Sequence, residues 1–354
     1  MPKLLYLVHG MGVHGKGWDS DVIDRLTTLP ATFGYQWFAD HEGLGASVRL
    51  VPVSYDEAFA DLLGQWDRSS EALSDFTQKH GIAVPDLLGW LHDVNEEEGK
   101  FFWSHLVDVL LYRFVPTVTA RVRTAVKEQI ATAMLEASSD DNEIVQTSVL
   151  AHSLGTSVAH DALALLATQP TEQGNRRLMI ENHHFEHLFM LSNVSRVLET
   201  SPEVYESAVR PPGAGGASYL NWYYNFQHRF DPFPAVKPFA PVGWGRRYRA
   251  VLDGEERIDF HAHDFLDYLD DPQVHIPIYR ALFGNDAVTS AEAEQALTSY
   301  AMRPLPPCAG ELDSLRMRVE QIIALASVSG TPTSLIIAGA QFLAAAREAA
   351  DACI

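Results

Sequence analysis

The stretch SVLAHSLGTSVAHDAL, Ser148–Leu163, joins an apolar run to the start of an amphipathic helix, and a serine stands at the junction. Ser153 has Ala151 two residues before it and Gly155 two residues after it. Small flanking residues are typical of a sharp strand-to-helix turn, which lifts the hydroxyl clear of the backbone and directs the unpaired N–H groups of the helix toward it. A serine before a glycine is also a common N-cap, so the pattern alone leaves a nucleophile and a simple cap both open.

Apolar runs that suit buried strands recur along the chain and alternate with helical segments. The predicted strands are Leu4–Val8, Ser47–Tyr55, Ile144–Ser153, His187–Val194, Ser218–Phe226 and a shorter run, Glu256–His263. Strands that alternate with helices predict an α/β fold with a mostly parallel sheet. The periodicity is helical over 56–137 and again after Pro272, so we expect a principal domain over 1–284 and a helical C-terminal extension over 285–354.

The helical segment 56–137 lies between the second and third predicted strands and is too long for a plain crossover. It is either a packed layer of helices or a cap over the serine. The aromatic residues in it fit both interpretations: Trp90, Phe101, Phe102, Trp103, Tyr112 and Phe114. A cap lined by them would favour an apolar acyl or aryl group.

Composition excludes several function classes. The chain has 354 residues, and 46 acidic against 26 basic residues give a net charge of −20. This balance repels phosphate backbones and anionic lipid, so nucleic acid is not an expected partner. We expect a cytoplasmic protein without stable membrane insertion. The chain has only two cysteines, MPKLLYLVHG lacks the pattern of a signal peptide, and no apolar run reaches about 18 residues.

Four motifs resemble the α/β-hydrolase superfamily of serine esterases and lipases: LVHGMG, LAHSLGTSVA, NFQHRFDPFP and FHAHDFLDYLDDP. The resemblance spans about Lys3 to Gly284. The usual form of the family's nucleophile turn is Gly-x-Ser-x-Gly, and Ala151 stands here in place of the first glycine. The resemblance implies an α/β-hydrolase fold with Ser153 as the nucleophile, a helical insert over 56–137 and no cofactor.

The family's chain order is serine, then acid, then histidine. That order points to Asp231, just after the aromatic strand, as the acid, with Asp253 and Asp259 as further candidates. It points to His263 as the base. His261 is the alternative, since two residues one apart in an extended segment point to opposite sides and only one can face the serine.

The resemblance also implies an oxyanion hole made by the backbone N–H groups of Leu154 and Met11, with Gly12 a second candidate for the latter. Gly10, Gly12 and His152 are expected to border the substrate, because glycine lets the backbone approach closely.

Two other kinds of site fit the sequence less well. The histidines near 183–187 and 261–263 lack the further ligands that a catalytic metal needs, and HGMGVHGKG lacks the spacing of a nucleotide-binding loop.

These observations predict hydrolysis of a carboxylic ester, with an apolar acyl or aryl group, through an acyl-enzyme intermediate, and thioesters fall within the same chemistry. A lipid-acting hydrolase that works at a membrane, and a non-catalytic binding module on the same fold, are the alternatives that the sequence leaves open.

Overall fold

A parallel six-stranded sheet organises the computed structural model. The structure describes residues 3–12, 14, 17–41, 43–45, 47–59, 74–75, 78, 107–138, 145–169, 171–173, 176–178, 184–199, 204–235, 237–253, 263–303, 309–329 and 332–351. The strands are β1 (Lys3–Val8), β2 (Arg49–Val53), β3 (Gln146–His152), β4 (Thr171–Gln173), β5 (Arg176–Leu178), β6 (Phe185–Leu191), β7 (Leu220–His228) and β8 (Tyr248–Asp253). The sheet order is β2-β1-β3-β6-β7-β8, all parallel, while β4 and β5 form a separate antiparallel pair.

Helices cover both faces of this sheet. They are α1 (Ser20–Phe33), α2 (Gln36–Asp40), α3 (Val107–Phe114), α4 (Pro116–Ala137), α5 (Leu154–Thr168), α6 (Pro232–Ala235), α7 (Phe265–Asp270), α8 (Pro272–Phe283), α9 (Ser290–Ala301), α10 (Ala309–Ser329) and α11 (Pro332–Asp351). Two short 3₁₀ turns lie at Gly245–Arg247 and Asn285–Ala287. The α/β class predicted from the sequence is therefore confirmed, as an open parallel sheet with flanking helices.

The strand β1 shows how the two cores arise. Its side chains alternate between the faces of the sheet: Leu4, Tyr6 and Val8 join one apolar cluster, and Leu5 and Leu7 join the other. A strand buried on both faces must be apolar along its buried length, which is why Leu4–Val8, the part of β1 after the half-buried Lys3, carries no charge. The first cluster holds α3, α4, α5, α10 and α11, and the second holds α1, α2, α7 and α8.

The C-terminal helices belong to these same cores. Ala296 of α9 is buried in the second cluster, and Leu315 of α10 and Phe342 of α11 are buried in the first. The helix α11 also contacts α3 of the predicted insert and α6, the short helix after β7. The region after 284 is thus packed onto the sheet domain in the described part of the chain.

The sixth strand of the sheet differs from the sequence expectation. It is β8, whereas the run 256–263 that the sequence favoured lies outside the described residues apart from its last position. Sequence analysis placed no strand at 248–253 because RYRAVLD follows a Pro- and Gly-rich segment and carries charge. As an edge strand, β8 keeps Arg249 exposed, with its guanidinium over the ring of Trp222. Among the described residues, no helix is both long and apolar enough to span a bilayer.

Candidate active site

Ser153 occupies a strained turn between β3 and α5. Its φ is 52° and its ψ is −125°, a conformation that residues other than glycine rarely adopt. Its backbone N–H donates to the carbonyl of Leu191 at 3.0 Å, so the turn is fixed to the end of the neighbouring strand β6. The Thr156 hydroxyl donates to the Ser153 carbonyl at 2.7 Å and accepts from the N–H of Val194, which holds the start of the helix in place.

The glycines around the serine are required by close backbone approach. A Cβ placed on Gly155 would lie 2.1 Å from the carbonyl oxygen of His9 and 2.7 Å from that of Val8. A Cβ on Gly10 would lie 3.0 Å from the Cβ of Ser153. The start of α5 and the loop after β1 are therefore in direct backbone contact, and the small residue after the serine follows from that contact.

Ser153, His263 and Asp231 form a hydrogen-bonded chain. The Oγ of Ser153 lies 2.9 Å from Nε2 of His263, and Nδ1 of His263 lies 2.9 Å from Oδ2 and 3.0 Å from Oδ1 of Asp231. An ionised carboxylate can only accept, so the imidazole hydrogen is on Nδ1 and Nε2 is the acceptor for the serine hydroxyl. This is the arrangement by which an imidazole can take a proton from an attacking hydroxyl.

The Asp231 carboxylate is fully buried yet remains ionised. Burial alone would raise its pKa, but the charge and hydrogen bond of His263, together with hydrogen bonds from Ser192 and Tyr268, hold the pKa below its usual value. Oδ1 also accepts from the N–H of Phe233 at 3.1 Å. A carboxylate enclosed by donors in this way can stabilise a positively charged imidazole.

His263 is held from two further sides. The Nε2–H of His152 donates to the His263 carbonyl at 2.8 Å. Burial, with the nearby His263 charge, lowers the pKa of His152 to about 3, so this imidazole stays a neutral donor. The ring of Phe233 lies 4.1 Å from the His263 ring, centroid to centroid, and a Cβ on Gly339 of α11 would be 2.2 Å from Phe233. Phe233 thus contacts both the imidazole, to which its ring is tilted by 32°, and α11.

The loop after β1 approaches the serine at Gly10, and the pairing of the backbone N–H groups next to that contact can be followed one by one. Neither the N–H of Met11 nor that of Leu154 donates to an atom of the described residues. The N–H of Gly12 is engaged: it donates to Oδ2 of Asp108 on α3 at 2.8 Å. The Gly12 N–H is therefore paired, whereas those of Met11 and Leu154 have no acceptor within the described residues.

His9 anchors that loop. Its Nδ1–H donates to the Gly10 carbonyl at 2.9 Å, and the Tyr55 hydroxyl donates to the His9 carbonyl at 2.7 Å. Burial, followed by the neighbouring His14, lowers the pKa of His9 to about 3, so its ring is neutral. Its Nε2 faces Asp56 at 3.6 Å.

Comparisons with protein-family models, with curated proteins and with solved structures found no match.

The structure brings Ser153, Asp231 and His263 together as a hydrogen-bonded chain. Gly10 closely approaches Ser153, Leu154 directly follows it, and Met11 lies in the loop after β1. His152, which was expected to border the substrate, is only 7 % exposed. Its ring contacts the backbone of His263, so its observed partner is the histidine of the hydrogen-bonded chain.

The alternative residues have other places. Asp253 ends β8, while Asp259 and His261 lie outside the described residues. Within the described part of the chain, no group of three or more histidines, cysteines and carboxylates could hold a metal ion.

Part of the predicted insert reaches the site. Asp108, in the first turn of α3, contacts Gly12, and α4 packs on α5 behind the serine. Tyr112 is buried, and its hydroxyl donates to Asp161 at 2.7 Å. Trp90, Phe101, Phe102 and Trp103, on which the cap interpretation chiefly depends, lie outside the described residues.

Sequence analysis missed Ser192, Tyr268 and Asp108. Ser192 follows β6, beside the serine strand, and the clustering of side chains at the carboxyl ends of parallel strands was a usable signal for it. Tyr268 lies in the motif FHAHDFLDYLDDP, but its spacing from His263 does not reveal a contact with Asp231. Asp108 is 96 residues from the glycine it binds, and no local pattern marks it.

Proposed function

We propose that this chain is a serine-dependent hydrolase of carboxylic esters with an α/β-hydrolase fold. One observation carries the proposal: the 2.9 Å contact from Ser153 Oγ to His263 Nε2 continues through Nδ1 to Asp231 at 2.9 Å. The strained φ of Ser153 and the chain order of serine, acid and histidine support it.

The chemistry follows from the roles that these groups can take. Ser153 Oγ attacks the ester carbonyl carbon while Nε2 of His263 takes the hydroxyl proton, and the N–H groups of Leu154 and Met11 donate to the oxyanion. Collapse of the tetrahedral intermediate breaks the bond to the alcohol, which leaves with the proton from Nε2. Water then attacks the acyl-enzyme by the same route and releases the acid. Asp231 stabilises the charged imidazole throughout.

Apolar acyl or aryl esters are the proposed substrates. The apolar ring of Phe233 lies 4.1 Å from the His263 ring, centroid to centroid, and the net charge of −20 disfavours anionic substrates. Esters of increasing acyl length, presented with and without detergent micelles, separate a small-ester hydrolase from a lipid-acting one.

Labelling with a fluorophosphonate tests the nucleophile, because such probes react with an activated serine. We expect the wild type to be labelled and Ser153→Ala not to be. Hydrolysis of p-nitrophenyl esters by the variant should fall by about 10⁴- to 10⁶-fold. Ser157→Ala is the matched control: this serine is buried on α5 and its Oγ has no partner among the described residues. Absence of wild-type labelling would favour the binding module, and equal labelling of both variants would refute the assignment of Ser153.

A further inference from the structure

The carboxylate of Asp231 is enclosed by more donors than the triad requires. It is 0 % exposed, and besides His263 it accepts from the Phe233 N–H, the Tyr268 hydroxyl and Ser192. A carboxylate that only had to meet an imidazole would leave several of its lone pairs to water or to nothing. Here the protein fills them with neutral donors drawn from three separate segments.

Tyr268 joins two of those segments. Its hydroxyl donates to Asp231 Oδ2 at 2.9 Å and accepts from the N–H of His228 at 2.9 Å. His228 is the last residue of β7 and lies three residues before Asp231. Tyr268 itself is on α7, which begins two residues after His263. One hydroxyl therefore fixes the loop that carries the acid to the loop that carries the base.

Ser192 approaches from the third segment. Its Oγ lies 3.0 Å from Nδ1 of His263 and also hydrogen bonds to Asp231. Like Ser153 it has a positive φ, 51°, and its N–H donates to the carbonyl of Phe226 at 3.0 Å. This strained backbone at the end of β6 is what directs the hydroxyl to the side of the His263–Asp231 pair, so the strain is matched by a defined contact.

We propose that Tyr268 is a positioning residue of the catalytic triad, assisted by Ser192, and that it fixes the orientation of the Asp231 carboxylate and tempers its basicity toward His263. The proposal rests on the proposed function. A neutral O–H donor spreads the negative charge of a carboxylate, so removing it leaves Asp231 freer to rotate and more strongly attracted to a protonated imidazole. Both effects act on the rate without Tyr268 contacting the substrate.

Two titratable groups face the pair from the elements packed against it, namely Tyr268 on α7 and His152 on β3. Burial, followed by the charge of Asp231, raises the pKa of Tyr268 well above its usual value. His152 remains neutral because burial lowers its pKa to about 3. Neither group changes charge between pH 5 and 9, so a shift in the acidic limb of activity in a variant reports on the pair itself.

Tyr268→Phe tests the proposal, with Tyr279→Phe as the matched control. Tyr279 is also fully buried and its hydroxyl donates to the Leu26 carbonyl at 2.8 Å, away from the triad. We expect Tyr268→Phe to lower kcat by about 10- to 100-fold with little change in KM, and to move the acidic limb of kcat/KM to higher pH by about 0.5 to 1 unit. Tyr279→Phe should leave kcat and the limb unchanged.

Ser192→Ala is the second variant, and it is needed if Tyr268→Phe does not fold. We expect it to move the acidic limb of kcat/KM to higher pH as well, but by less than Tyr268→Phe. The proposal is overturned if Tyr268→Phe and Ser192→Ala both fold and have the same kcat and the same acidic limb of kcat/KM as Tyr279→Phe. If the wild type is not labelled by a fluorophosphonate, the proposed function fails instead. The inference is then decided by the NMR resonance of the His263 Nδ1 proton, which must shift in Tyr268→Phe and not in Tyr279→Phe.

Discussion

Replacing Gly155 by alanine tests the backbone contact that brings the serine helix onto the loop after β1. A Cβ at this position would lie 2.1 Å from the His9 carbonyl oxygen and 2.7 Å from the Val8 carbonyl oxygen. Ordinary contact begins at about 3.4 Å, so one of the two backbone segments must move by more than 1 Å. Neither segment is free to do so.

The cost can be estimated from what holds those atoms. Val8 is paired on both sides in the sheet, with Val53 and with Ala151, and the His9 carbonyl accepts from the Tyr55 hydroxyl. Overpacking against movable side chains costs about 1–3 kcal/mol, and fixed backbone belongs at the upper end of that range. Alanine recovers about 1 kcal/mol through its higher helix propensity. The free energy of unfolding should therefore fall by about 2 kcal/mol.

Urea unfolding by linear extrapolation measures this difference, and Gly310→Ala is the control. Gly310 is in α10 with open space around its would-be Cβ, so alanine there should raise the free energy of unfolding by up to about 1 kcal/mol. Fluorophosphonate labelling of Gly155→Ala should also slow, because the Leu154 N–H at the start of α5 moves away from the Met11 N–H. Wild-type stability and wild-type labelling in Gly155→Ala would refute the contact.

Two further substitutions probe the contacts around the site. Burial raises the pKa of Asp108 to about 7. The folded chain therefore keeps a proton that the unfolded chain releases above pH ~4. The free energy of unfolding should then fall by at most about 4 kcal/mol as the pH rises from about 4 to 7. Asp108→Asn, which retains an acceptor for the Gly12 N–H, should flatten that slope in urea unfolding at pH 5 and 7.5; an unchanged slope would contradict the burial of this charge. The new Cβ of Gly339→Ala would lie 2.2 Å from Phe233, so this variant should be labelled more slowly by a fluorophosphonate. Its free energy of unfolding should be about 1 kcal/mol lower than that of Gly310→Ala. Equal labelling rates and equal stabilities of the two variants would contradict the contact between α11 and Phe233.

The sheet could be predicted well where strands are buried on both faces. The apolar runs of β1, β3 and β6 are typical of central strands in a parallel sheet, and their alternation with helical segments indicates that sheet. The edge strand β8 escaped prediction because one of its sides faces solvent and admits charge. The hairpin β4–β5 escaped it because its strands are three residues long, too short for a period to be seen.

The candidate site could be predicted only in part. Ser153 carries a local signal, because the turn demands small neighbours, and Asp231 and His263 were reached through the order of elements in a resembling family. Ser192 could have been inferred from its place after β6, beside the serine strand, but the contact of Tyr268 with Asp231 arises only when β7 and α7 converge, and no spacing along the chain encodes that. Met11 was preferred to Gly12 as an oxyanion donor from the resemblance alone, and the contact of the Gly12 N–H with Asp108, 96 residues away, could not be foreseen.

Ser153 is completely buried, with 0 % of its surface exposed. The reactivity of its hydroxyl therefore depends on how often the side chains that cover it move aside. If the chain acts as the proposed hydrolase, its hydroxyl can meet an ester only in molecules whose covering side chains have moved aside. The apparent affinity is then the intrinsic one weakened by the fraction of molecules that are open. For the proposed hydrolase, opening that is slower than the chemical step would set the ceiling on turnover when substrate is abundant. The side chains that cover Ser153 would then be the first determinants of which substrates react.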